Sequence, residues 1–357
     1  MTGIVGQRAA ISTLQSALIH ERTHHAWVFR GPRGVGKYTT AMAFARHLLL
    51  NDLHVQDFGD AVTDSEFKHP DLHVIRKEDA AWSNSPSLAR KKQTNIPVDL
   101  LRERMIGGRT ADDRDHDSPV FKTSTSGGNK VFIIDEAELL DDIAQNALLK
   151  TLEEPPPGTF IVLVTSREDR LLPTVQSRCQ AVNFTLLNSR DMDCWANTVG
   201  SEFSTAELDW SILYSGGSPG DVCESIESGL PKLAEKLDDF IHAAGTGSSH
   251  CGPVRHMVEF VENFVQQQLD NNSLCSKEAA NRRGFSVVLR LFGGEVQRLL
   301  GDNRTSSSVG IRAAAVLADI ESQVKTNISV KVLLESLAVR WVHLCSGNAI
   351  LMPVWDE

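Results

Sequence analysis

Gly31, Gly34, Gly36 and Lys37 stand in the stretch Arg30-Gly31-Pro32-Arg33-Gly34-Val35-Gly36-Lys37-Tyr38-Thr39. An apolar run, Ala26 to Phe29, precedes it, and Thr40 to Arg46 has the composition of a helix. Strand, glycine loop and helix together are the context in which backbone N–H groups turn inward and hold phosphate. Lys37 would bring a point charge to the terminal phosphates of a nucleotide such as ATP. In such loops the residue after the lysine is Ser or Thr, whose hydroxyl helps hold the Mg²⁺ that accompanies ATP. Here it is Tyr38, with its hydroxyl at the far end of a ring. Thr39 follows one residue late, rotated by about 100° on a helix. The loop reads as able to hold phosphate and poorly equipped to use it.

A second chemical group lies about a hundred residues on. Lys130-Val131-Phe132-Ile133-Ile134 reads as a strand buried on both faces that ends in Asp135 and Glu136. Ligands of open α/β sheets bind at that carboxyl edge. There Asp135 would contact Mg²⁺ and Glu136 would polarise a water. The plainer alternative is a pair of acids favouring the start of a helix. Thr165 or Ser166, ending the next buried strand (Phe160 to Val164), would sense a γ-phosphate or simply cap the following turn.

Positioning these groups requires alternating strands and helices, and the chain supplies them. Gln7 to Arg22 is an amphipathic helix, Asp71 to Ile75 a short strand, and Asp142 to Glu154 a helix with Ile143, Ala147, Leu148 and Leu152 on its apolar side. Pro155-Pro156-Pro157 stops that helix. Asn51 to Lys68 reads as a surface insertion, and Gly107 to Asn129, rich in small and polar residues, as a mobile loop. The expected fold is a doubly wound parallel α/β sheet over residues 1–187 with helices on both faces, a small helical lid over 188–228 and an all-α domain over 229–357.

Composition narrows the partners. The 357 residues carry a net charge of −10, which argues against gripping nucleic acid alone by phosphate neutralisation. No apolar run approaches a membrane span. The first residues have neither the basic start nor the apolar core of a signal peptide, so a cytosolic place is expected. Six cysteines, at 179, 194, 223, 251, 275 and 345, contain no CxxC pair. They offer no zinc site or disulfide framework, and most are expected to be small buried hydrophobes.

The order of glycine loop, acid strand, Asn146-Ala147-Leu148-Leu149-Lys150-Thr151-Leu152-Glu153-Glu154-Pro155-Pro156 and Ser177-Arg178-Cys179 resembles the bacterial clamp-loader subunits of the AAA+ class. The likeness covers residues 4–228 well and the C-terminal third more weakly, through Asn327 to Leu337. It implies a P-loop NTPase-like domain, a lid and a helical collar. It also implies γ/τ and δ partner subunits, a sliding clamp, and primed DNA met through the assembled complex.

By the same resemblance, Arg178 reaches across a subunit boundary to a neighbour's nucleotide. The bland alternative is a surface arginine. Three departures resemble the δ′ branch of the family more than its ATP-hydrolysing γ/τ branch. Tyr38 fills the hydroxyl position. The lid element Gly217-Ser218-Pro219-Gly220-Asp221 lacks the arginine that hydrolysing members carry in Gly-Ser-x-Arg-Asp. The insertion after the first helix of the loop lacks the four cysteines that usually bind zinc, so no zinc is expected. Asp135 and Glu136 would then be vestigial or weak in hydrolysis. Two alternatives stay open: a γ/τ-like ATPase, and another DNA motor or helicase loader of the superfamily.

Overall fold

The computed structural model describes residues 4–19, 23–50, 67–89, 94–199, 203–242, 253–272, 275–301, 307–324, 326 and 328–345. The chain forms two compact units, Met1–Glu224 and Ser225–Glu357.

The first unit runs α1 (Arg8–Ile19), β1 (Ala26–Arg30), α2 (Lys37–Leu50), β2 (Leu72–Ile75), α3 (Pro86–Ala89), α4 (Val98–Leu101), β3 (Gly108–Arg109), β4 (Asp115–His116), β5 (Lys130–Ile134), α5 (Asp142–Glu153), β6 (Thr159–Thr165), α6 (Pro173–Gln176), β7 (Gln180–Asn183), α7 (Ser189–Val199), α8 (Thr205–Ser215) and α9 (Pro219–Glu227), whose last turn passes into the second unit. Five strands form a parallel sheet in the order β2-β5-β6-β1-β7. Side chains alternate across it. Trp27 and Phe29 meet Phe44 of α2 on one face. Ala26, Val28, Phe132, Ile134, Ile161 and Leu163 join Leu100, Leu101, Leu148 and Leu152 of α4 and α5 on the other. Both faces are covered, as expected, which is why β5 is buried at every residue.

Helix α5 begins where Asp141 accepts the Ala144 N–H at 2.7 Å and ends before the three prolines. Its buried side holds Ala144, Gln145, Leu148 and Leu152, whereas Ile143 is exposed. The polar Gln145 belongs inside because its amide donates to Leu140 O and Arg170 O while its oxygen accepts from Leu172 N–H.

Gly107 to Asn129 departs from the mobile loop read in the sequence. The Asp71 carboxylate accepts from Thr125 N–H (2.7 Å), Ser126 N–H (3.0 Å), Ser126 Oγ (2.5 Å) and Ser124 Oγ (3.0 Å). Burial alone would raise its pKa, but these bonds outweigh burial and hold the group well below the usual carboxylate range. Lys130 Nζ, itself buried, donates to the carbonyls of Pro119, Val120 and Lys122. The segment is therefore anchored at two points by buried charges.

The second unit is helical: α10 (Leu230–His242), α11 (Pro253–Asn271), α12 (Lys277–Gly301), α13 (Ser307–Gln323) and α14 (Val330–Cys345). Phe240, Phe292 and Trp341 pack edge to face in its core. The Trp341 indole N–H donates to Ile241 O at 3.1 Å. Leu333 and Leu337 point into this core, and Val332 beside them is exposed. No helix of the described residues is long and apolar enough to cross a membrane.

Candidate nucleotide site

The glycine loop joins β1 to α2 at the carboxyl edge of the sheet, and a cavity of about 700 Å³ opens over it. Gly34, Gly36, Lys37, Tyr38 and Thr39 line it from the loop side, and Asp135, Glu136, Glu138 and Ser166 line it from the ends of β5 and β6. Ile4, Val5, Leu187 and Trp195 give it an apolar end.

Glycine is required here for two different reasons. Gly36 has φ +92°, and a side chain would meet only open space; backbone conformation alone asks for glycine there. Gly34 has φ +73°, and a Cβ there would fall 2.4 Å from Ser218 Oγ and 3.0 Å from Gly220 Cα. The Gly217-to-Asp221 element lies directly on the loop. Gly220 N–H donates to Gly34 O at 2.8 Å, and Ser218 Oγ donates to Arg33 O at 3.0 Å.

Lys37 Nζ donates to Gly31 O (2.8 Å), Pro32 O (2.5 Å) and Ser166 Oγ (3.0 Å). Its ammonium is buried, which lowers its pKa to about 8; Arg33 adds to the effect and Glu138 and Asp135 oppose it. Glu138 in turn accepts from Ser166 N–H. Thr165 and Ser166 thus have different duties. The Thr165 side chain is buried outside the cavity lining and its hydroxyl accepts from Arg167 N–H at 3.0 Å, capping the turn. Ser166 is the hydroxyl that meets Lys37.

Asp135 and Glu136 both reach the cavity, and each is already paired. Asp135 Oδ2 lies 3.5 Å from Arg76 Nε, and its Oδ1 accepts Glu136 N–H at 3.0 Å. Burial pushes the Asp135 carboxyl above its ordinary range, with Arg76 opposing. Glu136 sits in the left-handed region at φ +51° and binds Lys77 Nζ at 2.5 Å. The Arg76 guanidinium stands over the Tyr38 ring, 4.3 Å from its centroid.

Arg76 was not evident among the site residues in the sequence. Strand β2 ends one residue before Arg76 and β5 one residue before Asp135, and the register pairs Ile75 with Ile134. Pairing therefore makes neighbours of residues 59 positions apart, and nothing local announces it.

The residues fit a nucleotide and not its magnesium. An open glycine cradle, Lys37 and an apolar end suit a nucleoside polyphosphate. Magnesium demands near-octahedral oxygen ligands. Here the expected hydroxyl is a tyrosine ring, and the expected carboxylate is matched to a guanidinium. No cluster of three or more His, Cys, Asp or Glu side chains able to hold a metal occurs among the described residues. Residues 51–66 of the insertion, on which the zinc expectation turns, lie outside them. Of the cysteines among the described residues, Cys194 is exposed and Cys179, Cys223 and Cys275 are half-buried, less enclosed than expected.

Arg178 stands outside this cavity, just beyond α6. It pairs with Glu153, donating through Nε at 2.7 Å, and donates through Nη1 to Thr174 O at 2.8 Å. Its side chain is one-third exposed.

Comparison with known proteins agrees with this arrangement. The tau subunit of DNA polymerase III from Bacillus subtilis is 31% identical over 243 residues, covering 68% of this chain and 38% of its own. The gamma/tau subunit of Mycobacterium tuberculosis is 28% identical over 246 residues, covering 68% and 39%. The delta′ subunit of Pseudomonas aeruginosa is 26% identical over 356 residues, covering 90% of this chain and 92% of its own. The chain thus spans about two fifths of the gamma/tau relatives and nearly all of the delta′ relative. A family model described as "DNA polymerase III, delta subunit" matches residues 6–188. That is more than half of the sequence, and with the glycine loop and acid strand at one sheet edge, it places the chain in the DNA polymerase III clamp-loader family of the AAA+ class.

Proposed function

We propose that this chain is the δ′ subunit of its clamp loader, a member that holds ATP without appreciable hydrolysis. In this reading it assembles with γ/τ and δ subunits and helps load a sliding clamp on primed DNA. Its Arg178 serves a neighbouring subunit's ATP site.

One observation carries the reading. Gly220 occupies the position of the lid arginine in hydrolysing members, and a Cβ there would lie 2.6 Å from Gly34 Cα. No side chain enters that position while the lid element rests on the phosphate loop. The pocket's own Lys37 remains to hold phosphate, but a second positive group for the developing charge has no room at residue 220. The near full-length match to a δ′ protein supports the same reading.

A γ/τ-like ATPase is the second reading. It is favoured by the higher identity to the B. subtilis tau subunit and by the retention of Lys37, Asp135 and Glu136. Hydrolysis by the purified full chain separates the two. The δ′ reading expects almost none with Mg²⁺, together with co-elution of the chain with γ/τ and δ subunits. A turnover near the enzyme median of about 10 s⁻¹, lost in Lys37→Ala, moves the assignment to the second reading.

A further inference from the structure

We propose that Arg76 is a resident cation that takes the place of the divalent metal beside Asp135, so that the cavity takes a nucleoside triphosphate without magnesium. The proposal rests on the cavity being a polyphosphate site, and not on the choice between δ′ and γ/τ.

Two adjacent acids end β5, and two adjacent cations follow β2. Arg76 lies against Asp135 and Lys77 against Glu136, at 3.5 Å and 2.5 Å. The sheet fixes this pairing. Asp135 N–H donates to Ile75 O at 3.0 Å, Arg76 N–H donates to Asp79 Oδ2 at 2.7 Å, and Asp79 N–H returns to Arg76 O at 3.0 Å. The arginine backbone is held from both sides, so its guanidinium is delivered to Asp135 by strand register.

The residue that displaces the metal-binding hydroxyl also seats the cation. Tyr38 presents its ring face to the guanidinium, and such stacking favours arginine over a hydrated ion. Asp135 has one oxygen directed to Arg76 and the other accepting Glu136 N–H. A magnesium ion would have to displace the arginine, shed water and accept a ligand set short of its hydroxyl. A guanidinium needs none of this. Arg76 is not itself in the cavity wall; its guanidinium lies against Tyr38 and Asp135, which are, and its Nη groups donate to no described residue.

The test is calorimetric titration of the full chain with ATP, in EDTA and in millimolar Mg²⁺, for the wild type, Arg76→Ala and Arg76→Gln. Circular dichroism and melting establish that each variant is folded. We expect the wild type to bind equally in the two buffers, within about twofold, and both variants to lose about tenfold or more in EDTA and to regain part of it with Mg²⁺. Wild-type binding that is about tenfold or more tighter with Mg²⁺ overturns the proposal, whatever the variants do. So do folded variants that match the wild type in EDTA. Failure of the wild type to bind ATP in either buffer overturns it too, by removing the polyphosphate site. Co-elution with γ/τ and δ subunits would still test the functional assignment separately.

Discussion

Gly220 and Gly34 meet backbone to backbone: the Gly220 N–H donates to Gly34 O at 2.8 Å, and a methyl group on Gly220 would fall 2.6 Å from Gly34 Cα. This contact fastens the lid element to the phosphate loop at the position where hydrolysing relatives, by the family resemblance, carry an arginine. Gly220→Ala should therefore cost about 1–3 kcal/mol through overpacking, because the neighbour it would meet is backbone and has little room to give. Chemical denaturation measures it. An unchanged midpoint and slope would mean that the lid lifts freely from the loop.

Restoring the magnesium hydroxyl alone should not create an ATPase. Tyr38→Thr supplies a hydroxyl in the first turn of α2 but leaves Arg76 beside Asp135 and Gly220 in the lid. Hydrolysis should stay far below the median turnover of about 10 s⁻¹. A jump to that range would show that Tyr38 was the sole obstacle.

Phosphate binding should weaken above pH 8. Lys37 is buried and its pKa is lowered to about 8; in the proposed nucleotide site it would meet phosphate as the ammonium. Raising the pH from 7 to 9 leaves roughly a tenth of it protonated, so the ATP dissociation constant should rise by up to about tenfold. For stability the sign is opposite: a lysine whose folded pKa lies below its unfolded value destabilises the fold below pH 8, and that cost is relieved between about pH 8 and 10.5. Titrations at pH 7, 8 and 9 on wild type and Lys37→Met check the binding effect. A pH slope that persists in Lys37→Met would assign it elsewhere.

Asp71 should be a structural acid. Replacing it with Asn keeps the shape but removes the charge that four donors share, at a cost of about 1.5–3 kcal/mol near pH 7. Its folded pKa is depressed, so the stabilisation is present above the unfolded value of about 3.9 and is lost as the pH falls through the folded one. Denaturation of Asp71→Asn against wild type at pH 7 and pH 3 measures both. An equal gap at the two pH values would mean the charge is not what the turn uses.

Much of this molecule was legible before its structure. The alternation of buried strands and helices specified a two-sided parallel sheet, because only such a sheet buries Val131 to Ile134 without a polar face. The glycine loop declared its own position between β1 and α2. What stayed hidden was non-local. Arg76 reaches Asp135 through strand register, and the Gly217-to-Asp221 element touches Gly34 by a tertiary contact. The segment from Gly107 to Asn129 has the composition of a free loop and is held by charges outside it or at its end, Asp71 and Lys130. In α14 three apolar residues divide in a way composition does not announce: Leu333 and Leu337 are spent on the unit's own core, whereas Val332 is exposed.

The helical second unit is the proposed collar, and it should be necessary for assembly. A chain ending near Ser228 should fail to co-elute with γ/τ and δ subunits. Exposed positions such as Val332 and Val339, not the buried Leu333, are the ones whose replacement by charge should weaken assembly. A truncated chain that still enters the complex would place the contacts in the first unit.

The most direct test of the account is hydrolysis by the reconstituted loader with wild-type or Arg178→Ala chain, with assembly verified by gel filtration. Arg178 now pairs with Glu153 at a partly exposed site away from its own cavity. An arginine offered to a neighbour's γ-phosphate stabilises transition-state charge worth on the order of 10³–10⁵ in rate at that one site. Assembly should be normal and nucleotide affinity little changed, with a partial fall in clamp-stimulated kcat that Arg178→Lys does not fully restore because an ammonium lacks the planar fork. Unchanged turnover and unchanged clamp loading by a fully assembled Arg178→Ala complex would contradict it.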